Sequence, residues 1–246
     1  MTKIVIILAL ILSACSGKPK EEMGASSVQM ENENLQEVQE LPDTLFIRRE
    51  INKNFYHAIF IDSTHTSKFF YDLMDFDFGK NDSLIYFSIH NEPTDSLNGL
   101  SNINLAEKWL PVHQYEGEYY LYYPSDKGNV GRRMINDSSF VYWGMEGPMR
   151  MALINAVSPE KGKYVLEMKN LIKNSNEELT IYQIDAKTGL SVFAFNSELE
   201  TPHYQLYVPL EGADQYNMIV NFCEEQKQLE LEFDKIDYQK LIDEAK

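Results

Sequence analysis

From Glu118 onward the chain is a succession of short runs rich in Tyr, Phe, Val, Leu and Ile, set about 8 to 12 residues apart. The candidate strands are Glu118 to Tyr123, Val130 to Ile135, Ser139 to Trp143, Arg150 to Val157, Tyr164 to Leu171, Leu179 to Asp185, Leu190 to Asn196, Tyr204 to Pro209, Tyr216 to Cys223 and Leu229 to Asp234. In Leu229-Glu230-Leu231-Glu232-Phe233 apolar and acidic residues alternate, as on a strand with one face buried. Pro159-Glu160-Lys161-Gly162 and Lys187-Thr188-Gly189 supply turn chemistry between runs. No helix-length apolar stripe separates these strands, so a parallel βαβ layout is excluded. The expectation is a mainly β chain, an antiparallel β-meander forming a sandwich or a barrel. Aromatic content of 12% agrees with that class.

Ahead of the meander the pattern is mixed. Thr44 to Ile51 and Phe55 to Asp62 read as strands joined by the turn Asn52-Lys53-Asn54. Thr66-Ser67 offers a helix cap, and Phe69, Phe70 and Leu73 fall on one helical stripe, so one short helix is expected over 67–74. Ser83 to His90 reads as a strand, Asn91 to Asn104 as a polar loop, and Leu105 to Trp109 as one helical turn. A second short helix, Tyr238 to Glu244, closes the chain.

The extreme N-terminus carries an address. Lys3 precedes the apolar run Ile4 to Leu12. That run falls short of the roughly 20 residues a spanning helix needs, and small residues follow it, which is signal-peptide anatomy. Leu12-Ser13-Ala14-Cys15 resembles the lipobox of bacterial lipoproteins. The resemblance implies cleavage before Cys15, lipidation of Cys15, and anchoring to the outer membrane of the cell envelope, on its periplasmic or its surface-exposed side. Acyl chains contribute about 0.8 kcal/mol per buried methylene, so several chains hold a protein firmly. Residues 15–42 are then a lipidated cysteine and a disordered acidic tether, poor in large apolar residues and carrying Glu21, Glu22, Glu31, Glu33, Glu37 and Glu40. Lys18-Pro19-Lys20-Glu21-Glu22 partly resembles the surface-export signal of Bacteroides-type lipoproteins. The organisation expected is a signal peptide over 1–14, the tether over 15–42, and one β-rich domain over 43–246.

Composition limits the partners. Net charge is −16, which disfavours nucleic acid and anionic lipid surfaces. The bilayer is met through the N-terminal acyl chains alone. Of the two cysteines, Cys15 is committed to lipid, which leaves Cys223 without a disulfide partner and expected as a buried, inert thiol. His57, His65, His90, His113 and His203 form no metal-ligand spacing, so no metal site and no cofactor are expected. Met145, Met149 and Met151 could offer soft thioethers to Cu(I), but core packing or an edge contact is the favoured reading. The carboxylate pairs Asp75/Asp77 and Glu116/Glu118 have the separation glycoside hydrolysis uses, yet any two residues two apart on a strand come close to it. No nucleophile elbow, phosphate loop or catalytic Cys-His pattern is present, and no catalytic residue is assigned.

Two features remain as candidate sites. Tyr119, Tyr120, Tyr122 and Tyr123 lie in one strand, with Tyr119, Leu121 and Tyr123 expected on one face and Tyr120 and Tyr122 on the other. They form either a ligand platform suited to sugar stacking or a central strand packed on both sides. Asp43-Thr44-Leu45, Asp62-Ser63-Thr64, Asp82-Ser83-Leu84 and Asp95-Ser96-Leu97 resemble the O-glycosylation motif of Bacteroides-type exported proteins, which makes Thr44, Ser63, Ser83 and Ser96 candidate glycosylation sites. The functional expectation is a non-enzymatic binding or assembly lipoprotein with a glycan or protein partner. The alternatives are a surface hydrolase of glycans or peptides, and a metal- or haem-capturing lipoprotein.

Overall fold

A computed structural model describes residues 44–50, 56–89, 103–144, 147–197, 200–223 and 227–245. Residues 1–43, where the expected signal peptide, Cys15 and the expected tether fall, lie outside the described residues. In chain order the elements are β1 (Thr44–Glu50), β2 (Tyr56–Asp62), α1 (Lys68–Met74), α2 (Lys80–Ile89), β3 (Lys108–Tyr115), β4 (Glu118–Tyr123), β5 (Arg133–Ile135), β6 (Ser139–Gly144), β7 (Gly147–Glu160), β8 (Lys163–Asn170), β9 (Ser175–Gln183), β10 (Ser191–Ser197), β11 (Glu200–Pro209), β12 (Met218–Cys223) and α3 (Tyr238–Glu244). Strands β5 to β11 run as a meander, each paired antiparallel to the next. Pairing of β11 with β3, and of β3 with β5, closes an eight-stranded antiparallel barrel from β3, β5, β6, β7, β8, β9, β10 and β11.

Strand β3 is the hinge of the architecture. Its start, Lys108 and Trp109, pairs with Met134 and Arg133 of β5. Its second half, Val112 to Tyr115, pairs with β4. The sheet therefore forks along β3. One branch closes the barrel, and the other continues through β4, β12 and β2 to β1. Pro111 lacks an N–H and would weaken a continuous ladder. It stands between the partner β3 leaves and the partner it takes up. The second branch contains the one parallel pairing among the described strands, β12 with β4.

Three apolar clusters hold this frame. The barrel interior is filled by Trp109, Ile135, Phe140, Leu153, Leu166, Met168, Leu179, Ile181, Phe193 and Tyr207, each 4% exposed or less. Every barrel strand contributes, as expected where eight strands leave a lumen just wide enough for side chains or one small ligand. Burying each such side chain contributes about 1.5 to 3 kcal/mol. A second cluster packs Phe69, Phe70 and Leu73 of α1 and Ile242 of α3 against the face of β3, β4, β10, β11 and β12 that carries Leu110, Leu121, Val192, Leu206 and Val220. On the opposite face of the β4 branch, Ile59, Tyr122 and Ile219 are covered by Leu231 and Phe233 of an extended C-terminal strap.

The antiparallel meander, α1 and α3 match the sequence pattern. Ser67 caps α1, its Oγ accepting from the Phe70 N–H at 3.1 Å. Four local expectations are corrected. Ser83 to His90 was read as a strand, but α2 occupies Lys80–Ile89, and His90 falls outside the described residues. Short apolar runs do not distinguish the two by periodicity. Here tertiary contacts decide, with Phe78 and Tyr86 rings 5.1 Å apart and the Arg150 guanidinium 5.7 Å from the Tyr86 ring. Leu105 to Trp109 is not a helical turn but the approach to β3, the strand that Pro111 conceals. Only Arg133–Ile135 of the run from Val130 is a strand. Leu229 to Asp234 makes no ladder and serves as the strap, with the Asp234 N–H donating to the Gln114 carbonyl at 2.8 Å. The polar loop, apart from its last residues, and the turn at Asn52 to Asn54 lie outside the described residues.

Candidate functional site

One mouth of the barrel opens into a cleft of about 350 Å³, within the size range of small-molecule sites. Its walls come from five strands and a turn: Trp109 of β3, Tyr164 of β8, Gln183 of β9, Ser191 of β10, Pro209 at the end of β11, and Glu211 in the 3-10 turn Leu210–Gln215. Residues 104–106 form the rim. Trp109 Nε1–H donates to the Ala106 carbonyl at 2.7 Å, and the Tyr164 hydroxyl to the Asn104 carbonyl at 3.4 Å, so both aromatics secure that rim. The Ser191 hydroxyl donates to the Gly189 carbonyl at 2.8 Å.

Glycines set the opposite rim. Gly189 has φ +78, and a Cβ there would meet Pro209 Cγ at 2.6 Å. A Cβ on Gly212 would meet the Thr188 carbonyl oxygen at 2.1 Å. The turn between β9 and β10 therefore sits directly against the 3-10 turn. Asp185 organises it by accepting from the Lys187 N–H and the Thr188 hydroxyl, and these bonds hold its carboxyl below the usual range. Among the described residues the lining includes no Lys, Arg or His, only the exposed carboxylate of Glu211. Aromatic surface, an amide, a hydroxyl and one carboxylate suit an uncharged polar ligand and repel an anion.

The tyrosine strand is arranged differently. Tyr119, Leu121 and Tyr123 face the helices, and Tyr120 and Tyr122 face the strap. Tyr122 and Tyr123 are buried, at 6% and 5% exposed, so neither offers a ring to a ligand as a platform requires; Tyr119 and Tyr120 are half-buried. Tyr123 donates to Asp72 Oδ2 at 3.2 Å, and Lys127 Nζ reaches the same oxygen at 2.6 Å. The Lys127 hydrogen bond holds the Asp72 carboxyl below its ordinary value. Burial pushes the Tyr119 and Tyr120 phenols up, with help from Glu244 and Glu118 respectively.

The remaining candidates are scattered. Thr44 begins β1, Ser63 follows β2 and is half-buried, Ser83 is half-buried in α2, and Ser96 lies outside the described residues. Asp75 and Asp77 are exposed after α1, and Glu116 and Glu118 are exposed at the β3–β4 hairpin. Neither pair lines the cleft. Met149 and Met151 are half-buried on β7, with Met151 packed into the barrel, while Met145 is outside the described residues. Among the described residues no three His, Cys, Asp or Glu side chains gather as a metal site would need. Cys223 is half-buried rather than buried, its Sγ 3.6 Å from Gln228 Nε2. The cleft residues Trp109, Tyr164, Gln183 and Ser191 carry no motif, and only barrel closure brings them together.

Fold and site together define an antiparallel eight-stranded barrel with a ligand-sized cleft at one mouth. No known protein family, curated protein or solved structure matches the chain.

Proposed function

We propose that this is a lipid-anchored binding protein of the bacterial outer membrane, which takes an uncharged, sugar-like ligand in the Trp109 mouth of its barrel. The cleft carries this reading. It sets the half-buried Tyr164 ring beside the Gln183 amide, with no cation among the described lining residues, as recognition of a neutral polyol requires. The resemblance of Leu12 to Cys15 to a lipobox supplies the anchor. Binding is favoured over hydrolysis because neither carboxylate pair lines the cleft.

The test is a neutral-glycan array followed by calorimetric titration of any hit on wild type, Tyr164→Ala and Gln183→Ala. Binding lost in both variants, with their melting temperatures preserved, supports the cleft. A hit bound equally by both variants places the ligand elsewhere. Release of shortened glycans by wild type would replace the binding reading with the hydrolase.

A further inference from the structure

Arg133 is a cation on the inner face of the barrel, where its chemistry does not suit filling. It opens β5 on the same side as Ile135, facing the interior. Its guanidinium carbon lies 5.5 Å from the centroid of the Tyr207 ring, 5.9 Å from Tyr142 and 6.0 Å from Phe195. Nη1 donates to the Gly131 and Arg132 carbonyls at 2.8 and 2.9 Å. The Nε–H is buried and meets no acceptor. Among the described residues no carboxylate forms an ion pair with it. Glu177 also lies towards this end, but it accepts from Asn170 Nδ2 at 3.3 Å and Ser175 Oγ at 3.5 Å.

A partly desolvated cation needs a counter-charge, and aromatic faces supply only part of one. An apolar side chain in this position would pack on the same rings without that penalty. The surroundings remain accessible, since Arg133, Tyr142, Phe195 and Met151 are each half-buried. Burial pushes the Tyr142 phenol up, Lys173 and Arg133 act against that shift, and Glu177 adds to it. Nη1 is taken by the two carbonyls and the guanidinium also hydrogen-bonds the Tyr207 phenol, so a ligand would use the part of the fork these leave open.

We propose that Arg133 marks a second site in the barrel, distinct from the Trp109 cleft, which binds a small organic carboxylate with a flat apolar body. The carboxylate accepts from the open part of the Arg133 fork, and the body lies against Tyr142 and Phe195. Arginine suits this head group because its planar fork matches a carboxylate.

The test uses 1-naphthoate and the neutral 1-naphthylmethanol as probes, titrated by calorimetry into wild type and Arg133→Met, with the melting temperature of each protein measured alone. Wild type is expected to prefer the acid by about tenfold or more. Arg133→Met should lose that preference while melting at the same temperature or higher, because methionine fills the space without an unpaired charge. Arg133→Lys should keep a weaker preference. Three results overturn the site: no preference for the acid in wild type, an unchanged preference in Arg133→Met, or an Arg133→Met protein that melts lower or fails to fold. The last would show that the arginine is there for the barrel and not for a ligand.

Discussion

The hydroxyl of Tyr122 donates to Glu230 Oε2 at 2.5 Å across a sequence separation of 108 residues. The Tyr122 hydroxyl oxygen in turn accepts from the Leu231 N–H at 3.1 Å and from Asn221 Nδ2 at 3.0 Å. Asn221 is fully buried, and its Oδ1 lies 2.8 Å from His57 Nε2. One phenol thus fastens the strap to β4 and β12. Burial and the Glu230 contact push that phenol well up.

Tyr122→Phe leaves the ring packing intact and removes the clasp. The Leu231 N–H and the Asn221 amide lose their shared acceptor, so the expected loss is about 1 to 3 kcal/mol. Tyr120→Phe, on the same face but half-buried, should change stability by no more than about 0.5 kcal/mol. Urea unfolding of both variants decides, and equal midpoints would remove the clasp from the account.

The strap also makes stability depend on pH. His113 stacks on Phe233 with ring centroids 4.3 Å apart, and burial holds its pKa down to about 4, from 6.5. The unfolded chain therefore takes up this proton first as pH falls. The contribution is intact above about pH 6.5 and is lost progressively down to about 4, reaching at most about 3 kcal/mol. His113→Phe keeps the stack and cannot titrate. Denaturation midpoints at pH 7 and pH 4.5 should therefore differ less in His113→Phe than in wild type. An identical difference in both would assign the acid sensitivity to other groups.

Two glycines in left-handed backbone, Gly117 in the β3–β4 hairpin and Gly189 on the cleft rim, are expected to be unequal. Gly117, with φ +84, has open space around its missing Cβ, so Gly117→Ala should cost only the left-handed backbone strain of about 1 to 2 kcal/mol. Gly189→Ala adds a clash with Pro209 and should cost about 3 kcal/mol or more. Thermal unfolding of the two variants compares them. Equal losses would mean that the two turns can part without penalty.

Anchoring through Cys15 has a direct assay. Cys15→Ala should take up no radioactive fatty acid and should remain uncleaved at that position. Equal label on wild type and variant would end the lipoprotein reading.

The meander was legible because alternation in runs such as Leu166 to Lys169 is set by one buried face, and the Ser67 cap because its chemistry is local. Strand β3 was hidden by Pro111, which reads as a strand breaker unless the fork is known. Helix α2 was hidden because Leu84 to Ile89 satisfies both strand and helix patterns over so short a length. Neither barrel site could be read from spacing. Trp109 and Ser191 are neighbours only because β3 is joined to β11 and β11 to β10, and Arg133 resembles any exposed arginine until β5 turns it inward.

The fork on β3 also governs where the molecule is open to other chains. A twelve-stranded sheet ordered from β1 to β5 would end in two strands with unpaired backbone groups. Joining β5 to β3 removes one of those ends and leaves β1 as the outer edge. Such an edge invites pairing with a second copy, and charge along it opposes that. Strand β1 ends in Arg48-Arg49-Glu50, and the exposed Arg48 lies over the Tyr56 ring at 5.1 Å. Among the described strands, barrel closure thus confines the risk of self-association to β1, and that strand carries its own charged guard.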